Sequence, residues 1–191
     1  MKLDIIVAST REERVGPSIG AWALERARGH GGFEVELVDL KVVNLPLLDE
    51  PKHPRFRQYQ HAHTKAWSAV VDAADAFVFV TPEYNYGMPP ALLNALDYLS
   101  AEWAYKPAAV VSYGGVSGGL RSAQMTKQML PSLRMVPILE AVSIPFFRNF
   151  MDTEGRFAGD ETQEKAATAM LDELVRMAAA LTPLRRPPAK L

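Results

Sequence analysis

The chain has 191 residues, 48% of them hydrophobic and 23% charged, with a formal net charge of −1, which suits one globular domain with a sizeable core. That balance speaks against a disordered or fibrous chain and against a basic nucleic-acid binder. Cysteine is absent, so disulfide scaffolds, thiolate nucleophiles, CxxC redox pairs and thiolate metal sites are excluded, and any redox chemistry must come from a bound cofactor.

The apolar run within Met1 to Ala8 is broken by Asp4 and is too short for a signal segment or a membrane span, so a cytoplasmic address without membrane contact is expected. Ile5 to Ala8 reads as a buried strand ending in the polar Ser9-Thr10-Arg11. Ile19, Trp22, Ala23 and Ala27 recur at helical spacing, and the glycines from Gly29 to Gly32 stop that helix. Phe33 to Asp39 alternates strictly, as an edge strand does. Three prolines between Asn44 and Pro54 predict a long surface loop. Trp67, Val70, Val71 and Ala74 mark a second helix, followed by the apolar strand Phe77 to Val80.

Leu92, Leu96 and Leu99 mark a third helix, Ala108 to Val111 a fourth strand, and Leu120 to Leu130 a fourth helix. Glu140 to Ile144 supplies a fifth strand, and the stripe from Ala167 to Leu181 a closing helix. A single domain over residues 1–182 is expected, then a flexible tail over 183–191. There Arg185, Arg186 and Lys190 lie among prolines and read as solvated. Strands alternating with helices predict an α/β fold with a parallel sheet covered on both faces. Ligands in such sheets bind beyond the carboxyl ends of the strands, here after Ala8, Val80 and Val111.

The first of these loops, Ser9 to Ser18, carries hydroxyls, Arg11, Arg14 and Gly16 ahead of a helix amino terminus, a setting for an anion. It has neither P-loop nor GxGxxG spacing. A plain helix cap by Ser18 with solvated arginines is the alternative. The second loop, Thr81 to Pro90, offers aromatic, amide and proline surfaces suited to a planar heterocycle. Its alternative is a proline-started helix with Tyr84 and Tyr86 packed on the surface. The third, Ser112 to Arg121, holds four glycines within six residues, which serve either close approach to a ligand or tight turning alone. His61 and His63, two apart, would point to different faces of a helix and complete no metal site. No GxSxG elbow supports a hydrolase.

Three segments together carry a family resemblance: S-T-R-x-x-R-V-G from Ser9 to Gly16, T-P-E-Y-N from Thr81 to Asn85, and S-Y-G-G-x-S-G-G from Ser112 to Gly119. In these the chain resembles the NAD(P)H-dependent FMN reductase family, which includes azoreductase, quinone reductase and chromate reductase members. The resemblance implies a flavodoxin-like three-layer sandwich with a five-stranded sheet in the order 2-1-3-4-5, and noncovalent FMN. It places the phosphate on Ser9 and Arg11 with help from Arg14, Val15, Gly16 and Ser18. The ring falls against Pro82, Glu83, Tyr84 and Asn85, closed on its other side by Ser112, Gly114 and Gly115. Many relatives have serine then asparagine in the first loop, where this chain reads Arg14-Val15-Gly16-Pro17-Ser18.

The family also implies a homodimer or homotetramer. Trp103, Tyr105, Phe146, Phe147 and Phe150 are aromatics that either meet a partner copy or belong to the core. The expected reaction passes hydride from NADPH or NADH to FMN and electrons onward to a small acceptor such as a flavin, quinone, azo compound or metal oxyanion. No catalytic acid, nucleophile or metal is expected, and Glu83 reads as a ring-binding or loop-fixing group. Arg14 or Arg121 could favour a 2′-phosphate. The competing readings are a flavodoxin-type electron carrier without a pyridine nucleotide site and a nucleotide-processing enzyme on a similar sheet.

Overall fold

A computed structural model describes residues 1–185. Its sheet contains β1 (Lys2–Val7), β2 (Glu34–Asp39), β3 (Ala76–Pro82), β4 (Pro107–Tyr113), β5 (Val136–Pro137) and β6 (Val142–Ile144). The order is β2-β1-β3-β4-β5, with β6 also on β4 and every pairing parallel. The helices are α1 (Gly16–His30), α2 (Leu40–Val43), α3 (Ala62–Ala73), α4 (Pro90–Asp97), α5 (Leu120–Met129) and α6 (Glu161–Leu181). This is the flavodoxin-like sandwich that the sequence motifs imply.

The two central strands, β3 and β4, are buried along their whole length, whereas β2 exposes alternate residues. The sequence difference causes this: β3 and β4 have no charged side chain, while Glu34 and Glu36 keep one side of β2 wet. One face of the sheet is covered by α1 and α6, where Ile19, Trp22 and Ala27 meet Met170, Leu174 and Ala178. The other is covered by α3 and α4 through Trp67, Val71, Leu92 and Leu96, joined by Trp103. Each fully buried Leu, Ile, Val or Phe contributes about 1.5–3 kcal/mol relative to exposure. The start of α6 is fixed locally by a capping box, in which Asp160 accepts from the Gln163 amide and the Gln163 side chain accepts from the Asp160 amide.

Four differences from the sequence expectations have physical causes. The fifth strand is not one piece over Glu140 to Ile144 but two, β5 and β6. Between them the Lys127 ammonium takes the carbonyls of Ile138 and Leu139 at 2.8 and 3.2 Å, and Leu139 swings out to 86% exposure. Asp39 accepts from the Lys41 amide and so starts α2, a single turn that apolar periodicity is too short to reveal. His61 precedes α3 instead of lying on it, so its ring stacks on His63 with centroids 5.2 Å apart rather than facing away. Arg185 is not solvated: it is paired to Asp75 and donates to the carbonyls of Tyr105 and Asp75 at 3.2 and 2.8 Å. The rest of the expected tail, with Arg186 and Lys190, lies outside the described residues.

The flagged aromatics divide. Trp103 belongs to the core on the α3 and α4 face, Phe147 and Phe150 pack half-buried against the separate core on the α1 and α6 face, and Phe146 is 54% exposed. Among the described residues no helix is long and apolar enough to cross a membrane.

Candidate functional site

The loops after β1, β3 and β4 and a fourth segment after β6 converge on a cleft of about 300 Å3. Eight of the sequence-predicted site residues line it: Arg11, Arg14, Val15, Pro82, Glu83, Tyr84, Gly114 and Gly115. Another depression, of about 370 Å3, lies between α2 and α4 and touches Thr10. Of its polar side chains Asn94 is bonded to Pro46 and Leu48 and Lys41 is paired with Glu12, whereas the smaller cleft gathers three arginines and two tyrosines.

In the first loop, α1 begins at Gly16 with no side-chain cap and no acidic residue in its first turn, which leaves the positive end of the helix uncompensated. Ser9 is fully buried beside it, and its hydroxyl, bordered by that of Tyr113, makes no hydrogen bond of good geometry among the described residues. A Cβ added at Gly16 would come within 2.2 Å of that hydroxyl, so only glycine leaves it room. Arg11 is exposed at the cleft. Arg14 is differently used: it grips both oxygens of Asp39 at 2.6 Å and donates to the Ser9 carbonyl at 2.6 Å, tying the loop to the end of β2. The Asp39 carboxylate raises the Arg14 pKa further above its ordinary value. Ser18 is inside the helix rather than capping it, and its hydroxyl accepts from the Phe157 amide at 2.7 Å.

The second loop is a two-residue turn closed by paired hydrogen bonds between Tyr84 and Gly87, of 3.0 and 2.9 Å. Asn85 and Tyr86 occupy it with φ of 48° and 68°; asparagine tolerates the left-handed region, while tyrosine there is strained. Both are exposed, and Asn85 does not line the cleft. Glu83 joins this loop to the next one. Its carboxylate accepts from the Ser117 hydroxyl at 2.9 Å, the Arg121 amide at 3.0 Å and the Arg121 guanidinium at 2.7 Å. Burial pushes its pKa up, but these Arg121 and Ser117 bonds outweigh burial and hold it below the usual value. The Arg121 guanidinium also lies 4.2 Å from the centre of the Tyr86 ring. Burial raises the pKa of Tyr84 and pushes that of Tyr113 up to about 12, so both phenols stay neutral in the working range.

The glycines of the third loop serve two purposes. Gly118 and Gly119 have φ of 60° and 80°, and a Cβ on either would strike Ser143 at 2.4 Å or the Tyr113 backbone at 2.7 Å, so they are needed for turning. Gly115 has nothing within 4 Å of its Cβ position and lines the cleft, so it is open to a ligand. The Ser112 hydroxyl is spent on the Gly118 carbonyl at 2.8 Å. Sequence reasoning missed Glu13, Tyr113, Phe147 and Arg148, which also line the cleft. The signal for the last two was present: Pro145-Phe146-Phe147-Arg148 follows a strand and therefore also sits at the carboxyl edge.

A family model described as NADPH-dependent FMN reductase matches residues 1–149. The chain belongs to this family. It is 40% identical over 147 residues to an NAD(P)H-dependent FMN reductase of Schizosaccharomyces pombe, spanning 75% of this chain and 74% of that one. It is 32% identical over 177 residues to an NAD(P)H-dependent FMN reductase of Nectria sp, spanning 88% of each. The solved flavoenzyme NAD(P)H:(acceptor) oxidoreductase FerB of Paracoccus denitrificans shares the fold, with a TM-score of 0.73 at 21% identity over 94% of this chain and 97% of that one. Family membership makes the chain an enzyme of the FMN reductase class, passing hydride from NAD(P)H to FMN and electrons to an acceptor.

Proposed function

We propose that FMN is held noncovalently in the four-walled cleft and that NADPH or NADH and then a small acceptor use its open side in turn. The observation that carries this reading is the uncapped start of α1 above the buried, unpartnered Ser9 hydroxyl. A phosphate suits both, through the helix dipole, the Gly16 amide at the helix start and an oxygen that accepts from the hydroxyl; Pro17 has no amide hydrogen and the Ser18 amide is bonded to the Val15 carbonyl. When bound, FMN supplies the ring that accepts hydride and stores the electron pair until an acceptor takes it.

The chain's own residues bind and orient. Arg11 and the amino end of α1 hold the phosphate, while Arg14 keeps the loop in shape through Asp39 rather than gripping the ligand itself. Pro82, Glu83 and Tyr84 form one wall for the ring and Gly114 and Gly115 the other. Glu83, kept ionised by Arg121, fixes the distance between these walls. No side chain of the cleft is required to act as a general acid or base.

The open side accommodates flavins, quinones, azo compounds or metal oxyanions as acceptors. Exposed Tyr86, Val116, Leu120 and Met125 lie on the second and third loops and on α5, and this apolar surface supports a homodimer or homotetramer. The cysteine-free composition agrees with a cytoplasmic address.

The deciding experiment adds FMN to the purified protein, removes the excess, records the absorbance spectrum and then adds NADPH without oxygen. Retained yellow colour that bleaches is the expected result. Retained colour without bleaching would make the chain a carrier, and no retained flavin would remove the cleft assignment. Gly115→Val projects its side chain into open space and should lower flavin binding; unchanged binding would move the ring away from the third loop.

A further inference from the structure

Of the three guanidinium groups in the cleft, Arg14 has its charge compensated by Asp39. Arg11 and Arg148 have no carboxylate partner among the described residues, and Glu83 is matched by Arg121. Glu13 is then the one uncompensated acid against two uncompensated arginines, so the cleft favours an anion.

Arg148 is also placed with more care than a surface arginine needs. It sits in the tight turn Phe147–Phe150, and the turn is tied to the third loop: the Phe146 amide donates to the Gly115 carbonyl at 3.0 Å and the Phe147 amide to the Gly114 carbonyl at 3.4 Å. The Phe147 ring meets Tyr113 edge-on at 5.7 Å. To make the turn, Phe146 takes φ of 47°, a left-handed conformation that a bulky side chain rarely adopts, and it does so with its ring exposed. Burial of that ring does not compensate the strain, and strain of this kind collects where a side chain must be aimed.

We propose that Arg148 is a phosphate-binding residue of this cleft, acting beside Arg11 and supplied by a fourth loop. The inference rests on the proposed FMN site. Its phosphate is either that of the flavin or one of those on the pyridine nucleotide, and the same planar fork suits both.

The test uses full-length Arg148→Ala and Arg148→Lys. Apoprotein is titrated with FMN and with riboflavin by flavin fluorescence, and the FMN-loaded protein is titrated with NADP+ and NAD+ by calorimetry. If the flavin phosphate is the ligand, Arg148→Ala weakens FMN about tenfold and leaves riboflavin unchanged, with part of the loss restored by lysine. If the nucleotide is the ligand, FMN is unaffected and NADP+ weakens about tenfold, alone if the 2′-phosphate is gripped and together with NAD+ if the diphosphate is. FMN and riboflavin weakened alike would mean a structural role, and all four affinities within twofold of the unsubstituted protein would mean none; either overturns the proposal. Failure of the unsubstituted protein to bind FMN would instead overturn the underlying site.

Discussion

Ser9 and Asp4 lie five residues apart, both fully buried and both with side-chain oxygens lacking a hydrogen-bond partner among the described residues. Their surroundings separate them. Ser9 stands at the carboxyl end of β1 beside a glycine and an uncapped helix, where several unfilled groups converge. Asp4 stands inside the sheet, opposite Glu36 and Phe77 on its two neighbouring strands, with the Lys2 ammonium 3.6 Å away. Burial pushes its pKa up to about 6, against the pull of Lys2, so it relieves part of its desolvation by taking a proton. An orphaned polar atom therefore points to a ligand only where it borders a helix end and a loop that lines a cleft, as Ser9 does and Asp4 does not.

The largest test of this contrast is Gly16→Ala. The new methyl would crowd Ser9, the Tyr113 hydroxyl and Val7 at 2.2, 2.9 and 3.0 Å. FMN affinity should fall about a hundredfold, or ~2.7 kcal/mol, and the melting temperature should drop as well. An alanine variant that binds FMN normally would separate Gly16 and Ser9 from the site.

Asp4→Asn should act only on stability. The folded pKa lies above the unfolded value of 3.8, so the unfolded chain loses its proton first as pH rises. Stability is therefore lost between about pH 4 and pH 6, and the penalty, up to ~3 kcal/mol, persists above that window. The variant should be more stable than the parent at pH 8 by up to ~2 kcal/mol and no more stable at pH 4, with unchanged flavin affinity. Denaturant curves at the two pH values decide it; an equal gain at both would rule out the proton.

Ser9→Ala should weaken FMN about tenfold while leaving the apoprotein as stable or up to ~1 kcal/mol more stable, because an unpaired hydroxyl is removed. A less stable apoprotein would show that the hydroxyl already has a structural partner. The smallest effect is expected from Glu83→Gln, about 0.5–1 kcal/mol at neutral pH. Its parent carboxylate is held below its ordinary pKa, so that contribution is present above the unfolded value and fades as acid protonates the group. Parent and variant should converge on acidification in thermal melts.

The layers of the fold were legible because each rests on a local pattern: the uninterrupted apolar runs of β3 and β4, the alternation of β2, and the helical stripe of α6. The break between β5 and β6 was not, since Lys127 holds the carbonyls of Ile138 and Leu139 from 11 and 12 residues away, a contact made only in the fold. The cleft shows the same division. Arg11, Gly115 and the Pro82 to Tyr84 wall follow from strand ends, but whether an arginine faces a ligand or a carboxylate is decided by long-range partners. Arg14 finds Asp39 across 25 residues, as Ser18 finds Phe157 across 139. Arg148 follows the fifth strand and so obeys the same strand-end rule, but its segment, Pro145 to Phe150, has none of the glycines or hydroxyls that mark the other loops.

The interruption of the fifth strand reaches beyond the cleft. A sheet margin is a template on which a foreign chain can add itself, and the hazard grows with the length of unpaired backbone it offers. Here that margin is cut into stretches of two and three residues, one of them ending in Pro137, which has no amide hydrogen to donate. The opposite margin, β2, is guarded by Glu34 and Glu36. Neither side invites continuous extension, so the fold is turned away from the ribbon-like growth that leads to fibres.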